Sequence, residues 1–421
     1  MCGLAGYFGS SFNYDFGCHI LKNMGDELYH RGPDNQGLWL DTNARVGLVH
    51  QRLAIQDLSQ EGHQPMHSKT ERYVIIYNGE IYNFKELRSK LNKRGINFVG
   101  HSDTEVLLEA ITEWGIKVTL ERAVGMFAFA LWDRKLRSLT LARDRMGEKP
   151  LYYGWQGKSF LFGSELNSFK KHPEFKGEVS RNALCLLLRY NSISAPQSIY
   201  KNIYKLPPAS ILTLDGDTNK TTIKNYWSLV ETSKRGVRFS YKGNEVDALS
   251  DLDNILSKSI SDQMVADVPI GAFLSGGIDS SLISSIMQKN SIKPIKTFSI
   301  GFENKSYNEA NYASEVACHL KTDHNELYVQ PKDVLELIPR LPQIYNEPFS
   351  DSSQLPSYFL SQMAQQQVKV ALSGDGGDEL FGGYNRHFWV RSIWNRMKFF
   401  PNSFRKISSN IVKGVSVNTW D

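Results

Sequence analysis

Cys2 becomes the first residue of the chain once Met1 is removed, and its small side chain permits that removal. A terminal cysteine carries a thiol and a free amine on one residue, so the amine, or a water it holds, can take the thiol proton with no histidine nearby in sequence. Position alone favours an incidental cysteine; the motifs further along the chain make Cys2 a candidate nucleophile. A second reactive pattern is Ser275, Gly276, Gly277, Ile278, Asp279, Ser280 and Ser281, set between an apolar run and a helical stretch. Glycines there admit backbone N–H groups to phosphate oxygens, the helix N-terminus adds positive potential, and Asp279 is placed to hold a magnesium ion. The Gly-Lys-Ser/Thr of a Walker A loop is absent, so a P-loop NTPase is not what is written here. A plain tight turn is the bland alternative. The third pattern, Ser373, Gly374, Asp375, Gly376, Gly377, Asp378 and Glu379, is costly unless cations or donors meet its acids. With Asp279 from a neighbouring strand end, Asp378 completes an oxygen-ligand site for Mg²⁺, and Asp375 lies near the reacting centre. A solvated turn capping the next helix is the bland reading.

The elements that must position these residues fall into two kinds of grammar. Alternating or apolar runs at 3–8, 37–40, 45–50, 72–77, 126–132, 138–142 and 159–162 predict strands. Helices are predicted over 84–93 and 104–114, the second behind Ser102 and Asp103 as caps. This is an α+β domain, sheets covered by helices, ending near 205–209 where Leu206, Pro207 and Pro208 break regular structure; 218–238 is polar enough to be a connection. No internal repeat is visible. From about 243, helices at 248–265, from 280, and at 308–320, 333–345 and 354–366 alternate with strands at 269–274, 295–300, 326–329 and 368–372. Such alternation means parallel pairing, right-handed crossovers and ligands at the strand C-termini.

Length and composition limit the reading. A chain of 421 residues is too long for one core and predicts two or three domains, and 22% charged with 41% hydrophobic residues is ordinary globular usage. The net charge of +5 is dispersed, which excludes a nucleic-acid-binding tract. Cys2, Cys18, Cys185 and Cys318 form no CxxC pair, so neither a zinc site nor a disulfide scaffold is indicated. No apolar run is long enough to span a bilayer and no charged n-region opens the chain; a reducing cytoplasm is the expected compartment.

Cys2-Gly3, His30-Arg31-Gly32-Pro33-Asp34, Arg52-Leu53, Asn78-Gly79-Glu80-Ile81-Tyr82-Asn83, Ser102-Asp103-Thr104-Glu105, Ser275 to Ser281 and Ser373 to Glu379, in that order, resemble the glutamine-dependent asparagine synthetases, from residue 2 to about 387. The resemblance implies an Ntn-hydrolase-type (αββα) glutaminase domain over 1–209, a connection over 210–242, and an α/β parallel-sheet, ATP-pyrophosphatase-like synthetase domain over 243–421, with ammonia passing through an internal tunnel. It assigns Cys2 as the nucleophile that takes the glutamyl group, the Asn78 amide and Gly79 N–H as oxyanion hole, Arg52 to the glutamine α-carboxylate, and Glu80 with Asp103 to its α-ammonium. A glycine at 79 removes a Cβ that would block close approach, and an arginine fork suits a carboxylate. In the other half it implies that Ser275, Gly276, Gly277, Asp279, Ser280 and Ser281 hold the pyrophosphate part of ATP. Leu274 and Ile300 line the adenine pocket, and Ser373 and Gly374 lie beside the nucleotide. Mg²⁺ falls to Asp279 and Asp378, and the acceptor site to Asp375. An acceptor carboxylate would take AMP and then be attacked by neutral ammonia.

Two departures qualify the resemblance. Some members carry Glu where Asp375 stands, and this chain looks closer to a bacterial subgroup tied to surface polysaccharides, so a carboxylate other than aspartate, such as a uronic acid, is the alternative acceptor. Family members also continue well past the 373–379 loop, into helices that supply a lysine for adenylation, whereas this chain stops at Asp421, its last stretch mixing Trp389, Trp394, Phe399, Phe400 and Phe404 with Arg391, Arg396, Lys398, Arg405, Lys406 and Lys413. In isolation that stretch reads as a basic amphipathic membrane segment, but Pro401 interrupts it and membrane binding is the minority reading. A glutaminase whose synthetase half serves as a binding platform, or an adenylating ring-closing enzyme akin to the β-lactam synthetases, are the other readings; an intact Cys2, Arg52, Asn78 and Asp103 argues against the last. A homodimer is a family expectation.

Overall fold

A computed structural model describes residues 1–302 and 308–414. The N-terminal strands are β1 (Gly3–Phe8), β2 (Asn35–Asp41), β3 (Val46–Arg52), β4 (Met66–His67), β5 (Tyr73–Ile81), β6 (Gly125–Asp133), β7 (Ser138–Arg143), β8 (Tyr152–Gln156), β9 (Ser159–Gly163), β10 (Tyr204–Lys205), β11 (Ser210–Asp215) and β12 (Thr221–Asn225). They form two six-stranded sheets, in the order β10-β8-β9-β1-β3-β2 and β12-β11-β7-β6-β5-β4. Alternation along each strand divides its side chains between two cores. On β1, Leu4 and Phe8 join Val74, Ile76 and Trp132 in the core between the sheets, while Ala5 and Tyr7 pack under the helix α1 (Tyr14–Asp26). On β5, Ile75 and Tyr77 face the opposite way, beneath α2 (Phe84–Asn92) and α3 (Asp103–Trp114). The result is the expected αββα sandwich.

The second half is a parallel sheet of β13 (Ile270–Phe273), β14 (Lys296–Phe302), β15 (Asp323–Val329) and β16 (Val370–Leu372), ordered β15-β14-β13-β16. Strand order reverses between β13 and its neighbour β16, so the 275–281 and 373–379 loops leave adjacent strand ends into one crevice.

Several elements differ from expectation. α1 and the helix Arg181–Tyr190 were not foreseen. The segment expected as connection contributes β11 and β12 to the second sheet, where β11 pairs with β7, and carries a helix over Leu229–Arg238, so the N-terminal sheet runs beyond 209. The expected helix at 333–345 is divided into Pro331–Leu337, a 3₁₀ turn at Ile338–Arg340 and Leu341–Ile344, because Pro339 and Pro342 each lack the N–H that continues a helix. Two helices, Asn385–Met397 and Asn402–Gly414, follow the acidic loop on either side of Pro401, and no residue of the first is buried. The Lys413 side chain and residues 415–421 of the basic aromatic stretch lie outside the described residues. Among the described residues no helix is long and apolar enough to cross a membrane.

Candidate functional site

All six residues expected at the glutamine site, Cys2, Arg52, Asn78, Gly79, Glu80 and Asp103, line one cavity of about 50 Å³, with Met1 still in its wall. β1 pairs with β3 so that Gly3 lies opposite Gln51, which sets Cys2 beside Arg52 and Leu53. The Leu53 N–H donates to Cys2 Sγ at 3.3 Å, and Sγ lies 3.6 Å from the Leu53 carbonyl. Burial pushes the Cys2 thiol up, opposed by the terminal amine, so a base is required to form the thiolate.

β5 supplies the electrophilic side. Alternate N–H groups of a strand leave by the same edge; Tyr77 N donates to Gln64 Oε1 at 2.6 Å and Ile81 N to Asp103 Oδ2 at 2.8 Å. Gly79 N–H, between them, therefore points to that same edge. Asn78 is 1% exposed, and among the described residues neither its Nδ2 nor its Oδ1 has a partner. A buried amide left unpaired costs about 1–3 kcal/mol, which a ligand oxygen would recover. The reason for glycine at 79 is different from the one expected: a Cβ there meets the Met126 carbonyl and Phe127 on β6, so the glycine serves strand approach within the sheet.

Charges are sorted across the cavity. Asp103 opens α3 behind the Ser102 cap and accepts from Tyr77 Oη at 2.8 Å. Burial, with Asp103 nearby, pushes Glu80 up to about 7. The Arg52 guanidinium donates to the Ser59 carbonyl at 2.9 Å and to the Asp57 carbonyl, shaping the 53–62 loop. Both acceptors are neutral, so Arg52 forms no contact ion pair among the described residues and keeps donors beyond these two for a carboxylate.

The sequence alone gives the His30–Asp34 motif no task; the structure does. Arg31 Nε donates to the Cys2 carbonyl at 3.0 Å, and Nη1 pairs with Glu165 at 2.7 Å. Burial alone would raise Glu165, but His30 and Arg31 hold it down to about 2. Asn346, from the C-terminal half, donates to the other Glu165 oxygen at 2.9 Å, and neighbouring Glu347 pairs with Lys205 and accepts from Ile199 N at 2.7 Å. Asp34 pairs with Lys369 at 2.7 Å. Lys149 also lines the cavity, although no sequence motif marks it.

The second cavity, about 910 Å³, lies over β13 and β16 and is lined by Leu274, Ser275, Gly277, Asp279, Ser280, Ile300, Ser373, Gly374, Asp375 and Asp378. Of the expected residues, Gly276 and Ser281 do not reach its wall. Gly276 has φ +81° and a Cβ there meets Tyr312 and Ala313, so it is fixed by packing on the helix Ala310–Leu320. Ser281 Oγ is buried without a partner. The helix Ile278–Lys289 starts at Gly277 with no side-chain cap, which leaves its first N–H groups to an anion. Gly377 has no room for a Cβ because the Asp279 carboxylate sits against it, bringing Asp279 to the foot of the Asp378 turn. No group of three His, Cys, Asp or Glu converges among the described residues. The donor set of two carboxylates suits Mg²⁺, which keeps waters and phosphate oxygens as its remaining ligands.

The glutamine amidotransferase domain family matches residues 1–227 and the asparagine synthase family residues 251–417. A Methanocaldococcus jannaschii protein, whose name marks it provisionally as a glutamine-hydrolysing asparagine synthetase, is 37% identical over 92% of this chain and 76% of its own length. Glutamine-hydrolysing asparagine synthetases 1 and 3 of Bacillus subtilis are 35% and 33% identical over 91% and 96% of this chain, which covers 59% and 68% of their lengths. With both halves matched in order and the first gathering around one cavity the six residues expected at a glutamine site, the chain belongs to the glutamine-hydrolysing asparagine synthetase family.

Proposed function

We propose that the chain hydrolyses glutamine at Cys2 and uses the ammonia, with ATP, to amidate a carboxylate, aspartate being the first candidate. The observation that carries this is the buried, unpaired Asn78 amide beside the Gly79 N–H in the cavity of Cys2. After Met1 is removed, the thiol proton passes to the Cys2 amine and the sulfur attacks the glutamine amide carbon. The Asn78 side chain and Gly79 N–H receive the oxyanion, a contribution of about 10²–10³ in rate for one such donor. The amine returns its proton to the leaving ammonia, and water frees glutamate from the thioester. Arg52 on the α-carboxylate, with Glu80 and Asp103 on the α-ammonium, orients the substrate.

In the second cavity the 275–281 loop and the start of its helix bind the phosphates of ATP, and Asp279 with Asp378 holds Mg²⁺, which neutralises phosphate charge when bound. The acceptor carboxylate displaces pyrophosphate at the α-phosphorus, and ammonia then displaces AMP at the acyl carbon. Ile300 borders the adenine and Asp375 the acceptor. The contacts through Asn346, Glu347 and Lys369 support transfer between the halves.

The test is incubation of the processed chain with amide-¹⁵N glutamine, aspartate, ATP and Mg²⁺, read by mass spectrometry. Labelled asparagine with AMP is the expected result. Labelled ammonia without asparagine moves the acceptor to another carboxylate, and no release of label at all overturns the assignment of Cys2.

A further inference from the structure

We propose that Lys149 is a positioning residue of the glutaminase centre: its ammonium faces the amine that Met1 removal exposes on Cys2 and keeps that amine in its proton-accepting form. The inference rests on the reading of Cys2 as the glutamine nucleophile and adds to it the group that tunes its base.

Lys149 is pinned from below. It belongs to the turn between β7 and β8, organised by the fully buried Asp144 carboxylate, which accepts from the N–H groups of Phe127 (3.1 Å), Glu148 (2.8 Å) and Lys149 itself (3.0 Å). From this anchor the side chain enters the cavity wall, and Nζ comes within 3.0 Å of Met1 Sδ. Lys149 forms no ion pair within contact distance among the described residues; burial works against its charge and lowers its pKa, while Glu80, Asp144 and Glu148 nearby favour the charged form. Arg31, the other cation at the terminus, is paired with Glu165 at 2.7 Å. The terminal amine is faced by Arg31 from the turn after α1, Lys149 from the β7–β8 turn and, against them, Glu80 from β5 and the Cys2 thiol, while Arg52 from β3 and Asp103 from α3 face that thiol. In the unprocessed chain the Met1 amine is lowered to about 6, first by burial, then by Arg31 and Lys149, with the Cys2 thiol and Glu80 opposing. Removing Met1 brings the amine one residue, about 3.8 Å, inward along the chain, next to the carbonyl that Arg31 holds. An α-amine at its ordinary value near 8 is mostly protonated at pH 7 and is a poor acceptor; a cation facing it, free of a contact ion pair, lowers that value.

The experiment compares processed wild type, Lys149→Met and Lys149→Arg, with Met1 removal checked by intact mass. Glutaminase kcat at saturating glutamine is followed from pH 5 to 9, so that the limb belongs to the substrate complex. Each is repeated in a Glu80→Gln background, because Glu80 itself titrates near 7. Lys149→Met should move the acid limb upward by about half a unit or more, roughly a threefold loss at pH 6 with the plateau retained, in both backgrounds, and Lys149→Arg should leave it in place. The pH dependence of Cys2 alkylation by iodoacetamide gives the same shift without turnover, in case the variant loses its fold for substrate. An unmoved limb in Lys149→Met, or an equal shift in Lys149→Arg, overturns the proposal. Absence of glutaminase activity in wild type instead overturns the reading of Cys2.

Discussion

The cavity at Cys2 has about 50 Å³ of space and a wall half made of buried residues, while the crevice over β13 and β16 has about 910 Å³ and is lined mostly by partly or fully exposed ones. In the first, Arg52, Asn78 and Asp103 are each less than a tenth exposed and held from two strands and a helix N-terminus. In the second, Asp375 is held by the Ser373 hydroxyl at 2.9 Å, and Ile278 on the phosphate loop is 87% exposed. The first half organises its charges within the protein, whereas the second leaves an anion-ready helix terminus and two acids that, on the proposed reading, Mg²⁺ and phosphates would bring together. Preorganised donors act without reorganisation at the moment of reaction, so single substitutions in the first cavity should be the more damaging.

The largest effect is expected from Asn78→Ala, which should lower glutaminase kcat by about 10²–10³ and leave ATP–pyrophosphate exchange unchanged. A loss below tenfold would show that Gly79 alone carries the oxyanion. Next is Asp378→Asn, which removes a proposed Mg²⁺ ligand; we expect exchange to fall about a hundredfold with glutaminase activity within a factor of two. If glutaminase falls in parallel, the two cavities are not separable and the comparison breaks. Glu347→Ala removes the interface partner of Lys205 and Ile199 N. It should weaken docking of the halves by about 2 kcal/mol. Its readout is coupling: more glutamate per AMP formed, with glutaminase rate and ammonia-dependent amidation each retained. A ratio identical to wild type would remove this contact from the transfer route.

How far the sequence shows these regions depends on what specifies each one. The strands of the first domain are legible because one face of each meets the second sheet and the other meets helices, so apolar runs mark them. α1 is hidden by Gly17 and Gly25, poor helix formers whose absent Cβ atoms let the helix lie against Tyr7 and Leu40, and against Val49 and Gln36. β12 is exposed at all five positions, so no alternation marks it, and it is specified by pairing with β11. The phosphate and acidic loops are legible because glycine at a strand end has few uses. Lys149 and Asn346 are not, because each acts by arriving from a turn or from the other half, and only the folded chain brings them to Arg31, Glu165 and the terminus.

The last prediction separates function from stability at Glu80. Burial, then Asp103, pushes its carboxyl up to about 7, against an ordinary value of 4.5. Between those values the native chain holds a proton that the unfolded chain has released, so ν_U − ν_N is negative and stability falls as pH rises through the window. Glu80→Gln has no charge to desolvate and should be the more stable protein at pH 8, by up to about 3 kcal/mol and less where water enters the cavity, with the difference gone below pH 4.5. Binding runs the other way. On the proposed binding mode the glutamine ammonium pairs with the charged carboxylate, so wild-type KM should rise as pH falls below about 7, while Glu80→Gln should show a KM about tenfold higher at pH 8 and flat with pH. Thermal melts at pH 5 and 8 beside glutamine KM from pH 6 to 8 measure both. A wild-type KM that does not change over that range would place the ammonium on Asp103 alone, leaving Glu80 as a destabilising acid with no partner in catalysis.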